Sequence, residues 1–324
     1  MLKKVFMDKK EIVKTFFEHN ILLSPQMLEM INENNINEIL SRAKQSDTPI
    51  ITDLSPKEIS VEVRKAAQKK SLSPQDFAKY YNNKCDGIKN ILLKKIGKEK
   101  EVVSINKTKN AFSDVLVIGM VKELTPQGFV LEDMTGEVDV ISKQTPSMDD
   151  VVCVKGLVRE ARLFAKELIL PDIPLSREIV RIDASILLTT DENANFVIVF
   201  NAEGKEAKKT LTSNPSWVSI SKNSKKASIL VYKPLEEADK QQAINYLKKR
   251  HLTPQRNQIT SNEDYFLLDP IPDILWLVQK NSWMENYKGV NIISGVGPVK
   301  INLGTRAVEF VKSQSNKNLT HQTN

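Results

Sequence analysis

The sequence predicts a multidomain α+β protein: a helical N-terminal region, a small β-barrel and a layered α/β domain. Two changes of hydrophobic period along the 324 residues predict it. Apolar residues recur at helical spacing to about residue 110, then alternate with period two from Asp114. Those are the signatures of an amphipathic helix and of a half-buried strand. In the last third a single helical stretch, Leu235 to Arg250, lies among strand-like runs, the pattern of a layered domain.

Residues 1–52 read as a small helical domain. Ile12, Val13, Phe16 and Phe17 fall at helical spacing, and Leu28, Ile31, Ile36, Ile39 and Leu40 continue the stripe. Ser24-Pro25 is an N-cap followed by proline at the first helical position, where an N–H would have no helical partner. Residues 53–110 read as a mostly helical linker. Ser55-Pro56 and Ser73-Pro74 repeat the start signal, with the charged stretch Val61 to Lys70 between them. Phe77, Tyr80, Tyr81, Ile88, Leu92 and Leu93 then resume helical spacing.

Residues 111–175 turn to β-branched alternation. Asp114 to Leu124 is a strand, Pro126-Gln127-Gly128 a turn, and Gly128 to Asp133 a second strand; Thr135-Gly136 leads into a third, Glu137 to Ser142. Lys143 to Asp150 connects to a returning pair, Val151 to Glu160 and Leu163 to Leu170. A tight meander followed by a returning pair outlines a five-stranded OB-fold barrel, and other small barrels share that outline.

Residues 176–312 form the layered domain. Ile179 to Leu188, Phe196 to Phe200, Trp217 to Ile220 and Ala227 to Tyr232 read as strands before the helix. Tyr265 to Leu268, Ile274 to Val278, Val290 to Ser294 and Ala307 to Val311 follow it. The tail, 313–324, is polar and is expected to be disordered.

Composition narrows the class. Lys and Arg number 47 against 40 Asp and Glu, a net charge of +7, which favours contact with phosphate polymers through counterion release. The charges are interspersed, as in Lys94-Lys95 beside Glu99 and Glu101, so a solvated face accounts for most of them. No apolar run reaches the roughly 20 residues of a membrane span. Met1 to Lys10 lacks the apolar core of a signal peptide. Cys85 and Cys153 have no CxxC spacing. The expectation is an intracellular, cytoplasmic protein with reduced thiols and no membrane partner.

Catalytic constellations are missing. The three histidines, His19, His251 and His321, are far apart in sequence, whereas a catalytic divalent metal needs several strong ligands together. His251 follows Lys248-Lys249-Arg250 and reads as a surface histidine at a helix C-terminus, near the negative end of the dipole. No GxxxxGK[ST], GxGxxG or GxSxG occurs. Gly295-Val296-Gly297-Pro298 is the one close glycine pair, and Pro298 lacks an N–H that a phosphate-cradling loop would use. Glu132-Asp133 and Asp149-Asp150 are adjacent pairs that point to opposite faces of a strand. No cofactor is expected.

Several phrases, taken together and in order, resemble the small subunit of the archaeal D-family DNA polymerase. Val117-Ile118-Gly119-Met120-Val121 and Leu131-Glu132-Asp133-Met134-Thr135-Gly136-Glu137 resemble its OB-fold, continued by Val154-Lys155-Gly156 and Leu170-Pro171-Asp172-Ile173-Pro174. Leu247-Lys248-Lys249-Arg250-His251-Leu252-Thr253-Pro254, Glu263-Asp264-Tyr265, Asp269-Pro270-Ile271-Pro272-Asp273-Ile274, Tyr287-Lys288-Gly289-Val290 and Ile293-Ser294-Gly295 follow in the family's order. The N-terminal phrase Ile21-Leu22-Leu23-Ser24-Pro25 also fits. The resemblance implies a calcineurin-like phosphoesterase domain acting as a 3′–5′ exonuclease, with motifs DxH, GDxxD, GNH[DE], a lone His, and GHxH after the PDI phrase. The first three are absent here. After Pro272-Asp273-Ile274, Gln279 and Asn281 stand where the two metal-binding histidines would be, and Val278 replaces the glycine. The stretch from Pro174 to Trp217 is too short for the missing motifs.

The resemblance therefore implies a reduced, inactive phosphoesterase-like domain and a non-catalytic scaffold subunit. Its partner is the catalytic large subunit, in a heterodimer that is nucleoid-associated and meets DNA directly or through the complex. Trp217, Pro272, Asp273, Trp276 and Trp283 are candidate interface residues, although core packing explains the tryptophans equally. Lys122, Lys143, Lys155, Arg159 and Arg162 are candidate phosphate contacts on the barrel. Lys10, Val13, Phe16 and Phe17 also carry the spacing of a sliding-clamp-binding peptide, with lysine for the usual glutamine; a helix packing on its own core gives the same spacing. Two alternatives stand beside this reading. One is a free-standing single-strand-binding protein, for which Phe129 and Phe164 are the only aromatics on the candidate barrel strands. The other is an active phosphoesterase with unconventional ligands.

Overall fold

The computed structural model describes residues 8–32, 35–44, 50–51, 60–65, 71–97, 101–108, 113–191, 196–202, 205–222 and 225–311. The expected tail, 313–324, lies outside them. The chain divides into two compact units, Met1–Ile59 and Ser60–Asn324.

In the first unit α1 (Lys9–Phe17) is capped by Asp8, whose carboxylate accepts from the Lys10 amide at 3.2 Å. β1 (Leu22–Leu23) pairs in parallel with β2 (Ile50–Ile51), and α2 (Pro25–Met30) and α3 (Ile36–Ala43) lie between them in sequence. Ser24 caps α2 by accepting from the Met27 amide. Ile12, Phe16, Ile21, Met27 and Ile31 form the core. Phe16 is fully buried there, whereas Val13 and Phe17 are exposed. The unit's own core thus accounts for one aromatic of the clamp-like spacing.

The second unit begins with a strand where the sequence suggested a helical or mobile linker. β3 (Ser60–Lys65) lies antiparallel to β12 (Ser216–Lys222), with Val61 opposite Ile220 and Val63 opposite Val218. Its alternate charged positions hid the period-two pattern. α4 (Pro74–Ile96) follows, started by a capping box between Ser73 and Asp76 and ended by Gly97 at φ 66°. The short α5 (Ile105–Thr108) leads into the barrel.

The barrel consists of β4 (Val115–Thr125), β5 (Gly128–Asp133), β6 (Gly136–Ile141), β7 (Val151–Arg159) and β8 (Arg162–Ile169). They close in the order β4-β5-β6-β8-β7, with β6 and β8 parallel and every other pair antiparallel. Val117, Val121, Phe129, Leu131, Val152, Val154 and Leu163 fill the interior. Leu116, Ile118, Val151 and Cys153 point outward and are covered by Ile88 and Leu92 of α4. Being buried on both faces explains why Val115 to Val121 is almost continuously apolar.

Two sheets complete the unit. β9 (Ser185–Thr190), β10 (Phe196–Ala202), β11 (Lys205–Leu211), β17 (Val299–Asn302) and β18 (Val308–Phe310) make one, ordered β11-β10-β9-β17-β18. The other is ordered β15-β16-β14-β13-β12-β3, with β13 (Lys225–Tyr232), β14 (Ile274–Leu277), β15 (Trp283–Tyr287) and β16 (Val290–Ser294). β13, β14 and β16 run parallel. Phe196 of β10 meets Trp276 of β14 edge to face at 6.2 Å, so the sheets pack on each other. On the opposite face Leu230, Tyr232, Leu275 and Ile292 pack with Leu247 of α6 (Lys240–Lys249) and Tyr80 of α4. β14 and β16 are buried throughout, as expected of strands covered on both faces.

Several expectations need correction. Ile179 to Ala184 is not strand, and Tyr265 to Leu268 contributes only the bridge from Leu267 to His251. β11, β15 and β17 escaped notice: β11 is a lysine-rich edge strand, and the other two are short.

Gly156 sits at a register shift in the β7–β8 hairpin, where an added Cβ would overlap the Phe164 carbonyl. Backbone cannot yield there without opening the hairpin. Gly156→Ala is expected to cost about 3 kcal/mol or more, read as a lower urea midpoint. Gly297→Ala, with nothing within 4 Å of its Cβ, should be near neutral.

Candidate functional site

The parallel strands direct attention to their C-terminal ends, where ligands collect in layered α/β domains. β13, β14 and β16 end at Tyr232, Leu277 and Ser294. Gln279, two residues beyond β14, is buried and folds its amide onto one backbone unit. Its Oε1 accepts from the Ala238 amide at 2.9 Å, and its Nε2 donates to the Ala238 carbonyl at 2.7 Å. Asn281 donates through Nδ2 to the Glu237 carboxylate, which also accepts from the Lys280 amide at 3.2 Å. Ser294 Oγ donates to the Asn281 carbonyl, and Trp276 Nε1 to the Gly295 carbonyl at 2.9 Å.

The strand ends are therefore tied to the segment that leads into α6, with the two amides as the tie. An amide is a weak ligand for a divalent metal, and both polar atoms of Gln279 are already engaged. Among the described residues no group of three His, Cys, Asp or Glu side chains could hold a metal ion. Cys153 is no nucleophile either: burial pushes its thiol up to about 12, far from a thiolate at neutral pH.

At the opposite ends of these strands, buried Asp273 accepts from Arg177 at 2.6 Å, Arg306 at 2.9 Å, and the Ser228 amide at 2.8 Å. Asp273 thus locks β13 and β14 to the segment ahead of β9, through Arg177, and to the β17–β18 turn, through Arg306, which is structural work. Pro272, Trp217 and Trp276 are buried as well. Of the candidate interface residues only Trp283, on the edge strand β15, is partly exposed. The others are core: Trp217 and Trp276 sit on strands of the covered sheet, and Pro272 and Asp273 are buried just ahead of β14.

His251 also differs from expectation. It is buried, at 1% exposure, between Asp264, whose carboxylate lies 3.2 Å from Nε2, and Tyr80 Oη at 3.5 Å. Nδ1 accepts from the Thr253 amide at 2.9 Å. Lys84 is buried beside them, and burial lowers its pKa. Partners at positions 80, 84 and 264 are joined to residue 251 only by the fold, so no local signal pointed to this cluster.

The barrel's candidate contacts are all exposed but differ in their pairing. Lys122 is bound to Glu137, and Lys155 lies opposite Glu167. Arg159 and Arg162 lie opposite each other across the β7–β8 hairpin. Phe129 is interior, whereas Phe164 is 40% exposed. No helix among the described residues is long and apolar enough to cross a membrane. No protein-family model matches the chain, and no curated protein matches it in sequence.

Replacing Gln279 by leucine would orphan the Ala238 amide and carbonyl in a buried place. Gln279→Leu is expected to cost about 2–4 kcal/mol, with Asn281→Ala costing less because that site is exposed; chemical denaturation of both measures the difference. A second expectation concerns pH. Burial holds the pKa of His251 below the ordinary imidazole value, against the opposing pull of Asp264. The unfolded chain takes up a proton near pH 6.5 that the folded chain resists. Stability contributed above that pH is lost as pH falls through it, by up to about 1.4 kcal/mol per unit. His251→Gln should flatten the dependence of the urea midpoint between about pH 7 and 5, and an unchanged slope would remove His251 as its source.

Proposed function

We propose that the chain is a non-catalytic accessory subunit of a replicative DNA polymerase of the archaeal D-family type. In this reading the barrel is an OB-fold and the two-sheet domain is a reduced, inactive phosphoesterase-like domain. Together they form a scaffold that binds and stabilises the catalytic large subunit as a heterodimer. Proteins of this role work beside the nucleoid in the cytoplasm.

One observation carries the reading. At the strand ends where a two-metal centre would have to assemble, Gln279 and Asn281 replace imidazoles and are spent on hydrogen bonds to Ala238 and Glu237. Two-metal hydrolysis needs both ions clamped against the attacking and leaving oxygens. A site whose ligand positions have become internal fasteners retains its architecture without its chemistry. The barrel supports the same reading, since three antiparallel strands closed by a parallel β6–β8 pair are the strand order of an OB-fold.

Affinity purification of the native chain is expected to recover a large polymerase subunit in stoichiometric amount, and its consistent absence would overturn the proposal. The purified chain should release no nucleotide from single-stranded DNA with Mn²⁺. Gln279→His/Asn281→His should remain inactive, because two imidazoles alone do not build a two-metal site.

A further inference from the structure

We infer that the outer face of the barrel around Phe164 is a binding site for single-stranded nucleic acid, with one base on the Phe164 ring and flanking phosphates on Arg159 and Arg162. The inference adds a ligand to the proposed accessory subunit and does not depend on the identity of its protein partner.

The geometry follows from strand register. Directly opposed residues share a face. Leu157 is opposite Phe164 on β7, and Ile141 is opposite Phe164 on β6. The three make one apolar row across the outside of the barrel, with the Phe164 ring left 40% exposed. The adjacent row is Arg159, Arg162 and Asp139. Glu160 and Ala161 join the two strands, both at positive φ, 49° and 59°. A two-residue turn of that kind is usually built from Asn and Gly. It holds Arg159 and Arg162 face to face.

Two independent features of this face lack an internal explanation. Like charges directly opposed across a hairpin repel, yet neither guanidinium has a described ion pair or hydrogen bond, and Asp139 forms none with Arg162. An aromatic ring is exposed on the barrel, away from the Leu116, Ile118 and Cys153 side that α4 covers. A polyanion with flat bases answers both. Phosphates relieve the repulsion of the arginines, and a base covers the ring, the combination that single-strand binders use without reading sequence. Lys122 is not part of this site, because it is paired with Glu137, and Lys155 lies outside both rows, two positions before Leu157 on β7.

The test uses the full chain and fluorescein-labelled oligo(dT) and oligo(U) of about 20 nucleotides, longer than the roughly 4–16 nucleotides that one such fold covers, followed by anisotropy. Wild type is expected to bind, with affinity falling as salt rises from about 50 to 200 mM. Phe164→Ala should weaken binding roughly tenfold. Arg159→Ala should weaken it and reduce the salt slope by about one, and Lys122→Ala should leave it unchanged. Equal loss on oligo(dT) and oligo(U) means the site accepts either sugar; loss on one alone names its ligand. All three positions are exposed, so thermal unfolding should confirm that the variants remain folded. Absence of wild-type binding, or a Phe164→Ala variant that binds like wild type, overturns the inference. So does loss of co-purification with the large subunit while oligonucleotide binding persists, which would make the face a subunit contact. A chain that recovers the large subunit but binds no oligonucleotide would sink this inference and leave the accessory role standing.

Discussion

The second unit depends on how α4 is seated. Its residues face two ways at once: Ile88 and Leu92 cover the outside of the barrel, and Tyr80 enters the core beneath the six-stranded sheet. Hydrophobic contact is non-directional and would tolerate rotation of the helix. The polar stripe removes that freedom. Asp76 accepts from Asn262, Asn83 donates to the Asn262 carbonyl, and Tyr80 meets His251, positions one or two turns apart on one face. The next residue on that face is Gly87, where an added Cβ would come within 2.7 Å of Leu267. Four successive contacts therefore specify one rotation and one depth for the helix, and through it one placement of the barrel on the two-sheet domain.

That fixed placement gives the strand ends their meaning. In a parallel sheet the loops beyond the C-terminal ends are the cheapest place to assemble chemistry, because the sheet holds several side chains in register at one edge. Here the loop after β14 folds back onto the segment before α6 and stays there through Gln279, Lys280 and Asn281. At the other end Asp273 collects two guanidiniums and a backbone amide. Removing such a buried acceptor would strand both arginines, which is far worse than never having built the pair. Both edges are thus closed by polar fasteners, and rigidity is what the arrangement supplies.

The barrel was legible because its strands alternate cleanly and are separated by Gly-containing turns; Val115 to Ile169 could be divided within a residue or two. α4 was legible from Ser73-Pro74 and its apolar spacing. β3 was not, since Glu62 and Arg64 break up its two valines and its partner β12 is over 150 residues away in sequence. His251 misled for a related reason. A histidine after Lys248-Lys249-Arg250 has a local explanation at the helix end, and only tertiary contacts bring Asp264 and Tyr80 around it. Trp217 and Trp276 offered hydrophobic bulk without direction, and burial on both faces of their sheet decided the matter. Gln279 and Asn281 were singled out by resemblance, but their bonds to Ala238 and Glu237 could be found only in the fold.

The distribution of charge on the barrel follows from the same seating. α4 covers the side formed by the first half of β4 and the start of β7, where Leu116, Ile118, Val151 and Cys153 make the barrel surface apolar. Lys249 reaches Asp150 at 2.9 Å there, with Asp150 almost wholly buried. The second half of β7, with β8 and the end of β6, is left to solvent, and only there do arginines stand opposite each other without carboxylates between them. A net charge of +7 spread over 324 residues says little about what is bound. Two guanidiniums without a described partner beside one exposed ring, on a barrel face that α4 leaves bare, say considerably more.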